Sequence, residues 1–153
     1  MAQQRDVVRM TDEEVTAFLD ESRTLIVASL DKEGAPHLTA LWFARQGLAV
    51  MFETYGTSQK VMNLRRDPRI AVMCEAGESY DQLRGVSIKG RAEIVESGER
   101  LIELMALIIR RNNPGLDPAA LAGHAAAMAR KRVVVVVHPN KVISWDHRKL
   151  PSG

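Results

Sequence analysis

The chain has 153 residues, 46% hydrophobic and 26% charged, with a net charge of +2. That is the balance of one soluble domain spanning 1–153, able to bury a real core, with too little net charge to argue by itself for a nucleic-acid partner, and none is expected. The longest apolar runs, such as "VVVVV" at 133–137, are far too short to cross a membrane, and the N-terminus "MAQQRDVVRM" has no apolar signal core. A cytoplasmic protein is expected. The single cysteine, Cys74, leaves no partner for an internal disulfide, and its run "RIAVMCEA" favours a buried, inert thiol over a nucleophile.

In chain order, Thr11-x-x-Glu14 is a capping box that opens a helix with Val15, Phe18 and Leu19 on one face. "TLIVASL" (24–30) reads as a strand, and "DKEGAP" as the turn after it. "HLTALWFA" (37–44) and "LAVMFET" (48–54) follow as two more strands, and the three together are expected to form an antiparallel meander. A helix at about 58–66 should stop at Asp67-Pro68, because a residue before proline avoids the helical region. "RIAVMCE" (69–75) and "RGVSIKGRAEIVE" (84–96) are strands. Gly85 and Gly90 in the second of these signal a bulge or the close approach of another group. Leu101, Leu104, Met105 and Ile108 recur at helical spacing, as do Leu121, His124, Ala125 and Met128. On that spacing His124 is a packed core residue. "RVVVVVHP" (132–139) and "KVISWD" (141–146) read as two final strands. About six to seven mostly sequential strands with four peripheral helices favour an antiparallel barrel, mainly β with helices outside it (α+β), over a parallel α/β sheet.

The stretch "TYGTSQKVMNLRRDPR" (54–69) carries the strongest chemical signal. A helix N-terminus offers unpaired N–H groups and the positive end of the dipole. Thr57 or Ser58 stands at the cap and Lys60 in the first turn, a set that suits a phosphate. The plainer alternative is an ordinary N-cap with Lys60, Arg65 and Arg66 in solvent. Near the C-terminus, "ISWDHRKL" places Trp145 beside His147, Arg148 and Lys149. There a ring could stack on a planar ligand, or Trp145 could simply cover the core. His37 and Thr39 share one face of their strand. No metal-binding spacing, Walker loop, hydrolase elbow or Rossmann fingerprint occurs, so no bound metal is expected, and no catalytic acid, base or nucleophile stands out. If the protein is an enzyme, a bound cofactor carries the chemistry.

"PHLTALWF", "FETYGTSQKVMNLRRDPRIAVM" and "YDQLRGVSIKGRAEIVE", in this order, resemble the pyridoxamine 5′-phosphate oxidase-like flavin and deazaflavin oxidoreductases, which have a split β-barrel fold. "K-x-x-N-L-R-R-D-P-R" is similar to the branch that uses the deazaflavin coenzyme F420, and "SWDHRKL" to a mycobacterial group within it. The resemblance implies a homodimer with two cofactor sites at the interface, each built by both chains, and a small-molecule substrate. It implies ring neighbours at His37, Thr39 and Thr54 and phosphate ligands at Ser58, Gln59 and Lys60, with Asn63 behind them. Arg84 would reach the cofactor from the partner chain, and Trp145 and Arg148 would close the site. Three departures stand out: Ser58-Gln59-Lys60 where the B6 oxidases have S-R-K, Gly85 where they have glutamine, and no R-x-H-x-R near the C-terminus. They turn the expectation away from vitamin B6 oxidation and toward an F420-dependent reductase. FMN is the alternative cofactor, and a cofactor-binding module without turnover the alternative function. Arg65, Arg66 and Arg69 are candidates to attract the polyglutamate tail of F420.

Overall fold

The computed structural model describes residues 3–152. Among these, seven strands form a single sheet: β1 (Thr24–Leu30), β2 (Pro36–Trp42), β3 (Ala44–Gln46), β4 (Ala49–Tyr55), β5 (Arg69–Ala76), β6 (Arg84–Val95) and β7 (Arg132–Asp146). Five helices accompany them: α1 (Gln4–Val7), α2 (Asp12–Glu21), α3 (Gln59–Arg66), α4 (Gly98–Asn112) and α5 (Pro118–Ala129). Every strand pairing is antiparallel, in the order β2-β1-β5-β6-β7-β4-β3.

Local signals account for most boundaries. Thr11 and Glu14 exchange both bonds of the capping box at 3.2 Å. Ser58 caps α3 through Val61 N–H, and the helix stops at Asp67, as Pro68 requires. In β1, Leu25, Val27 and Ser29 point into the core while their neighbours face outward. The inward residues of β1, β4, β5, β6 and β7 converge with α2 on one core containing Phe18, Phe43 and Phe52. A second core lies between the sheet and α4, where Leu101, Leu104, Met105 and Ile108 are buried as their spacing predicts.

The meander expected from 24–54 does not form. β2 pairs only with β1, at one edge of the sheet, while β3 and β4 stand at the other edge. A single residue, Phe43, separates the two edges, so the sheet must curl until they approach each other. Phe43 is fully buried, and its carbonyl accepts from Arg111 Nη1 at 2.8 Å and Asn112 Nδ2 at 3.1 Å. The chain crosses at that point because those bonds replace the ladder bonds it leaves. The result is a split barrel, as the resemblance implies.

Three smaller differences follow. The two final strands are one, β7, with an irregularity where Lys89 pairs Lys141 and Gly90 pairs Pro139, leaving Asn140 as the extra residue. Gly90 is needed there, since a Cβ would fall 2.2 Å from the His138 carbonyl oxygen. His124 is exposed rather than packed, because α5 buries only Ala125. The short helix α1 has no hydrophobic period to reveal it; the backbone bond from Asp146 N–H to Val8 O at 2.7 Å ties its end to β7.

Candidate functional site

The open side of the curled sheet is where α3 lies against β1. The residues expected there divide into two groups. The first is brought together around α3. Lys60 is buried, with 9% of its surface exposed, and Nζ donates to Thr54 Oγ1 at 3.1 Å. Thr54 Oγ1 in turn donates to Ser58 Oγ at 3.4 Å. Among the described residues no carboxylate pairs with Lys60. Glu53, whose charge favours the ammonium, is engaged by Arg132 at 2.7 Å. Burial therefore dominates and pushes the Lys60 pKa below its ordinary value. A buried cation with one neutral hydroxyl for company is costly unless an anion joins it.

Asn63, fully buried, donates to Ser29 Oγ at 3.1 Å and accepts from Gln59 Nε2 at 2.8 Å. Ser29 stands opposite His37 in the ladder, which links α3 to β2. Two side-chain atoms on β2 are sealed from solvent without a hydrogen-bond partner: His37 Nδ1 and Thr39 Oγ1. They lie on the same inward face, two residues apart, about 7 Å along the strand. Buried polar atoms are nearly always paired, so two orphans side by side call for a ligand. A groove of about 620 Å³ lies at this end of the sheet, lined by Ala28, Leu30, Pro36, Ala71 and Lys89, which face outward, with Ser29 and Gly90 at its edge. It reaches Ser29 but is lined by neither His37 nor Thr39.

The second group lies at the opposite end of the sheet. Arg84 pairs with Glu21 and stands over the Phe18 ring. Arg148 grips Asp146 through Nε at 2.9 Å and Nη2 at 2.7 Å, so its fork is already occupied. Trp145 packs on the backbone of Gly85, where a Cβ would fall 2.0 Å from Cζ2. Trp145 and Gly85 are level with Glu75 on β5 and hence with the start of β1, about five residues or roughly 17 Å from Ser29. One chain does not bring the two groups together.

The arginines after the phosphate turn are each engaged within the chain. Arg65 pairs with Glu96, Arg66 donates to Leu30 O and Asn63 Oδ1, and Arg69 pairs with Asp67. Cys74 is buried, and burial pushes its thiol up to about 11, which leaves it inert at neutral pH. Two features of the site were not legible: the orphaned state of His37 and Thr39, and the service of Ser29 to Asn63. A serine inside an apolar strand was the one available signal for the second.

Residues 11–146 match the family described as pyridoxamine 5′-phosphate oxidase. The chain belongs to that family. A protein of Mycobacterium tuberculosis, Rv2991, described as a conserved hypothetical protein, is 39% identical, with 99% of this chain and 96% of that one covered and a TM-score of 0.89. An F420 reductase is 23% identical over 82% of this chain and 93% of its own, with a TM-score of 0.61. HutZ, the haem storage protein of Vibrio cholerae, is 15% identical over 86% and 93%, with a TM-score of 0.68. The last two likenesses show the fold alone. Comparison with curated proteins gave no match. Among the described residues no helix is long and apolar enough to cross a membrane, and no cluster of three metal-ligating side chains occurs.

Proposed function

We propose that the protein is a homodimeric oxidoreductase that uses the deazaflavin coenzyme F420 to reduce a small organic acceptor. The observation that carries this reading is Lys60, a buried cation without an anion at the N-terminus of α3. Family membership supports a flavin-type ligand bearing a phosphate, and the donor set fits it. Lys60 and Ser58 would hold the phosphate, with the first-turn amides of α3. His37 and Thr39 would meet the polar edge of the ring, and Thr54 would keep the ammonium aimed at the phosphate. Gln59 and Asn63 brace α3 on β1. When bound, such a cofactor supplies hydride; the chain supplies position and excludes water.

Gln59, in place of the second phosphate cation of the B6 oxidases, leaves Lys60 alone with the charge and favours a cofactor held along its whole length. The partner subunit would complete the site. Arg84, Trp145 and Arg148 stand too far from Lys60 in one chain, and a two-fold packing of the outer sheet faces would bring them across. That face carries Ile26, Leu38, Trp42, Met73, Ile143 and Trp145, with Leu38 65% and Trp42 50% exposed. Arg65, Arg66 and Arg69, engaged as they are, have no role in this reading. The test is hydride transfer. Reduced F420 mixed with the dimer and a panel of quinones, enones and nitro-aromatics should be oxidised faster than without protein for at least one acceptor. No acceleration by any of them, with the coenzyme bound, would leave a binding module instead.

A further inference from the structure

The outer face of the sheet changes character along its ladder rows. One row runs through Leu38, Ala28, Ala71, Lys89 and Lys141, across β2, β1, β5, β6 and β7. It is apolar on the first three strands and cationic on the last two. Lys89 and Lys141 are exposed Cα partners, and like charges directly opposite repel. On the same face Arg69 stands opposite Arg91, two residues further along β5 and β6. Among the described residues no carboxylate pairs with Lys89, Arg91 or Lys141. The nearby acids are engaged elsewhere, Asp67 by Arg69 and Glu93 by Arg100 and His138. The groove of about 620 Å³ lies along these rows. Ala28, Leu30, Pro36 and Ala71 give it an apolar side, and Lys89 and Asn140 line it toward β7. Asn140 is the extra residue of the β7 irregularity, and such bulges re-aim a side chain beside a site. Small-molecule sites occupy roughly 300–1,000 Å³ and combine an apolar wall with a few polar groups, as this groove does.

We propose that this groove binds an apolar monocarboxylate. The carboxylate sits between Lys89 and Lys141 and accepts from Asn140 Nδ2, and the hydrocarbon lies over Ala71, Ala28 and Leu30. Lys89 and Ala28 stand two strands apart, about 10 Å, a span that a chain of about eight carbons covers. The anion turns a repulsive lysine pair into two charge-assisted hydrogen bonds. Arg91 adds to the positive field that draws an anion to this end of the face. The small side chains of Ala28 and Ala71 leave the room that the hydrocarbon fills. A neutral apolar ligand would gain the wall but leave the lysines facing each other. A phosphate or sulfate would satisfy the lysines but leave the apolar wall in water. Only a ligand with both parts uses the whole groove. The site stands apart from the cofactor reading, because Lys60, Ser58 and Thr54 do not line the groove.

Two probes, octanoate and octanol, test the site, because they share the hydrocarbon and differ in the charge. Each is titrated into the ¹⁵N-labelled full-length protein and followed by backbone amide shifts. Octanoate should move the amides of Ala28, Ala71, Lys89 and Asn140, and should bind roughly 10-fold more tightly than octanol. The double variant Lys89→Gln, Lys141→Gln should bind octanoate no better than octanol and keep the octanol affinity of the wild type. Ala71→Leu, which fills the groove, should weaken both. Light scattering should give the same oligomeric state with and without octanoate. Equal affinities in the wild type overturn the proposal, as does undiminished octanoate binding in the double variant. Loss of octanol together with octanoate in the double variant also overturns it, since the lysines would then serve the groove and not the carboxylate. So does octanoate binding that splits the protein into monomers, which would show a second copy of the chain covering the groove.

Discussion

Lys60 is the residue on which most depends. Its ammonium is disfavoured in the fold, so its native pKa lies below the ordinary 10.5. The sign of the consequence is fixed: the unfolded chain holds this proton more tightly, so the destabilisation is full below the native pKa and fades as pH rises toward the unfolded value. Lys60→Met should therefore raise the melting temperature of the free protein at neutral pH, with the advantage shrinking in alkaline buffer. Removing a buried unpaired charge for an apolar side chain of similar length is stabilising. A lower melting temperature for Lys60→Met would show that the ammonium is well solvated. Glu93 behaves oppositely. Arg100, then His138, hold its carboxyl at about 2. Its contribution is present above the unfolded value of 4.5 and is lost as pH falls toward 2. Glu93→Gln should flatten the thermal stability curve between pH 5 and 2. The side chain is 38% exposed, so solvent screening keeps the effect small.

At the scale of elements, Arg111 fastens three pieces. Its guanidinium donates to the carbonyls of Phe43, Leu19 and Ser22 at 2.7 to 2.8 Å and stacks on the Phe43 ring. It joins the end of α4 to the end of α2 and to the crossover between β2 and β3. Arg111→Ala removes the guanidinium's bonds to Leu19 O and Ser22 O and leaves Phe43 O with Asn112 alone, and should cost about 3 kcal/mol in urea unfolding. Arg111→Lys should recover little, since one ammonium cannot reach three separated carbonyls. Gly85 and Trp145 make a second coupling. Gly85→Ala must displace the indole, at about 1–3 kcal/mol, and should change the tryptophan near-ultraviolet circular dichroism. These elements also show what was legible. Strand 24–30 and the capping box of α2 could be read because alternation and caps are local. The split between β2 and β3 could not: "HLTALWFA" contains no turn residue, and its interruption is imposed by Arg111 and Asn112, nearly seventy residues away. The phosphate turn was visible as charge and caps, but Lys60 looked as exposed as Arg65 and Arg66. Only the packing of α3 on β1 buries one and leaves the others at the surface.

For the whole molecule, the separation of the Lys60 group from Arg84 and Trp145 ties function to assembly. Leu38→Glu and Trp42→Glu on the outer sheet face should each shift the protein toward monomer in light scattering, and cofactor affinity should fall with the dimer fraction. A monomeric variant with undiminished affinity would place the whole site within one chain. The central claim is narrower: Lys60 neutralises the phosphate of the cofactor. Titrating wild type and Lys60→Ala with FMN and with riboflavin, followed by flavin fluorescence, separates the phosphate from the ring. The account predicts that Lys60→Ala loses about 1.5–3 kcal/mol of FMN affinity, on the order of 10- to 100-fold, and keeps its riboflavin affinity. Equal FMN affinity in the two proteins would contradict it.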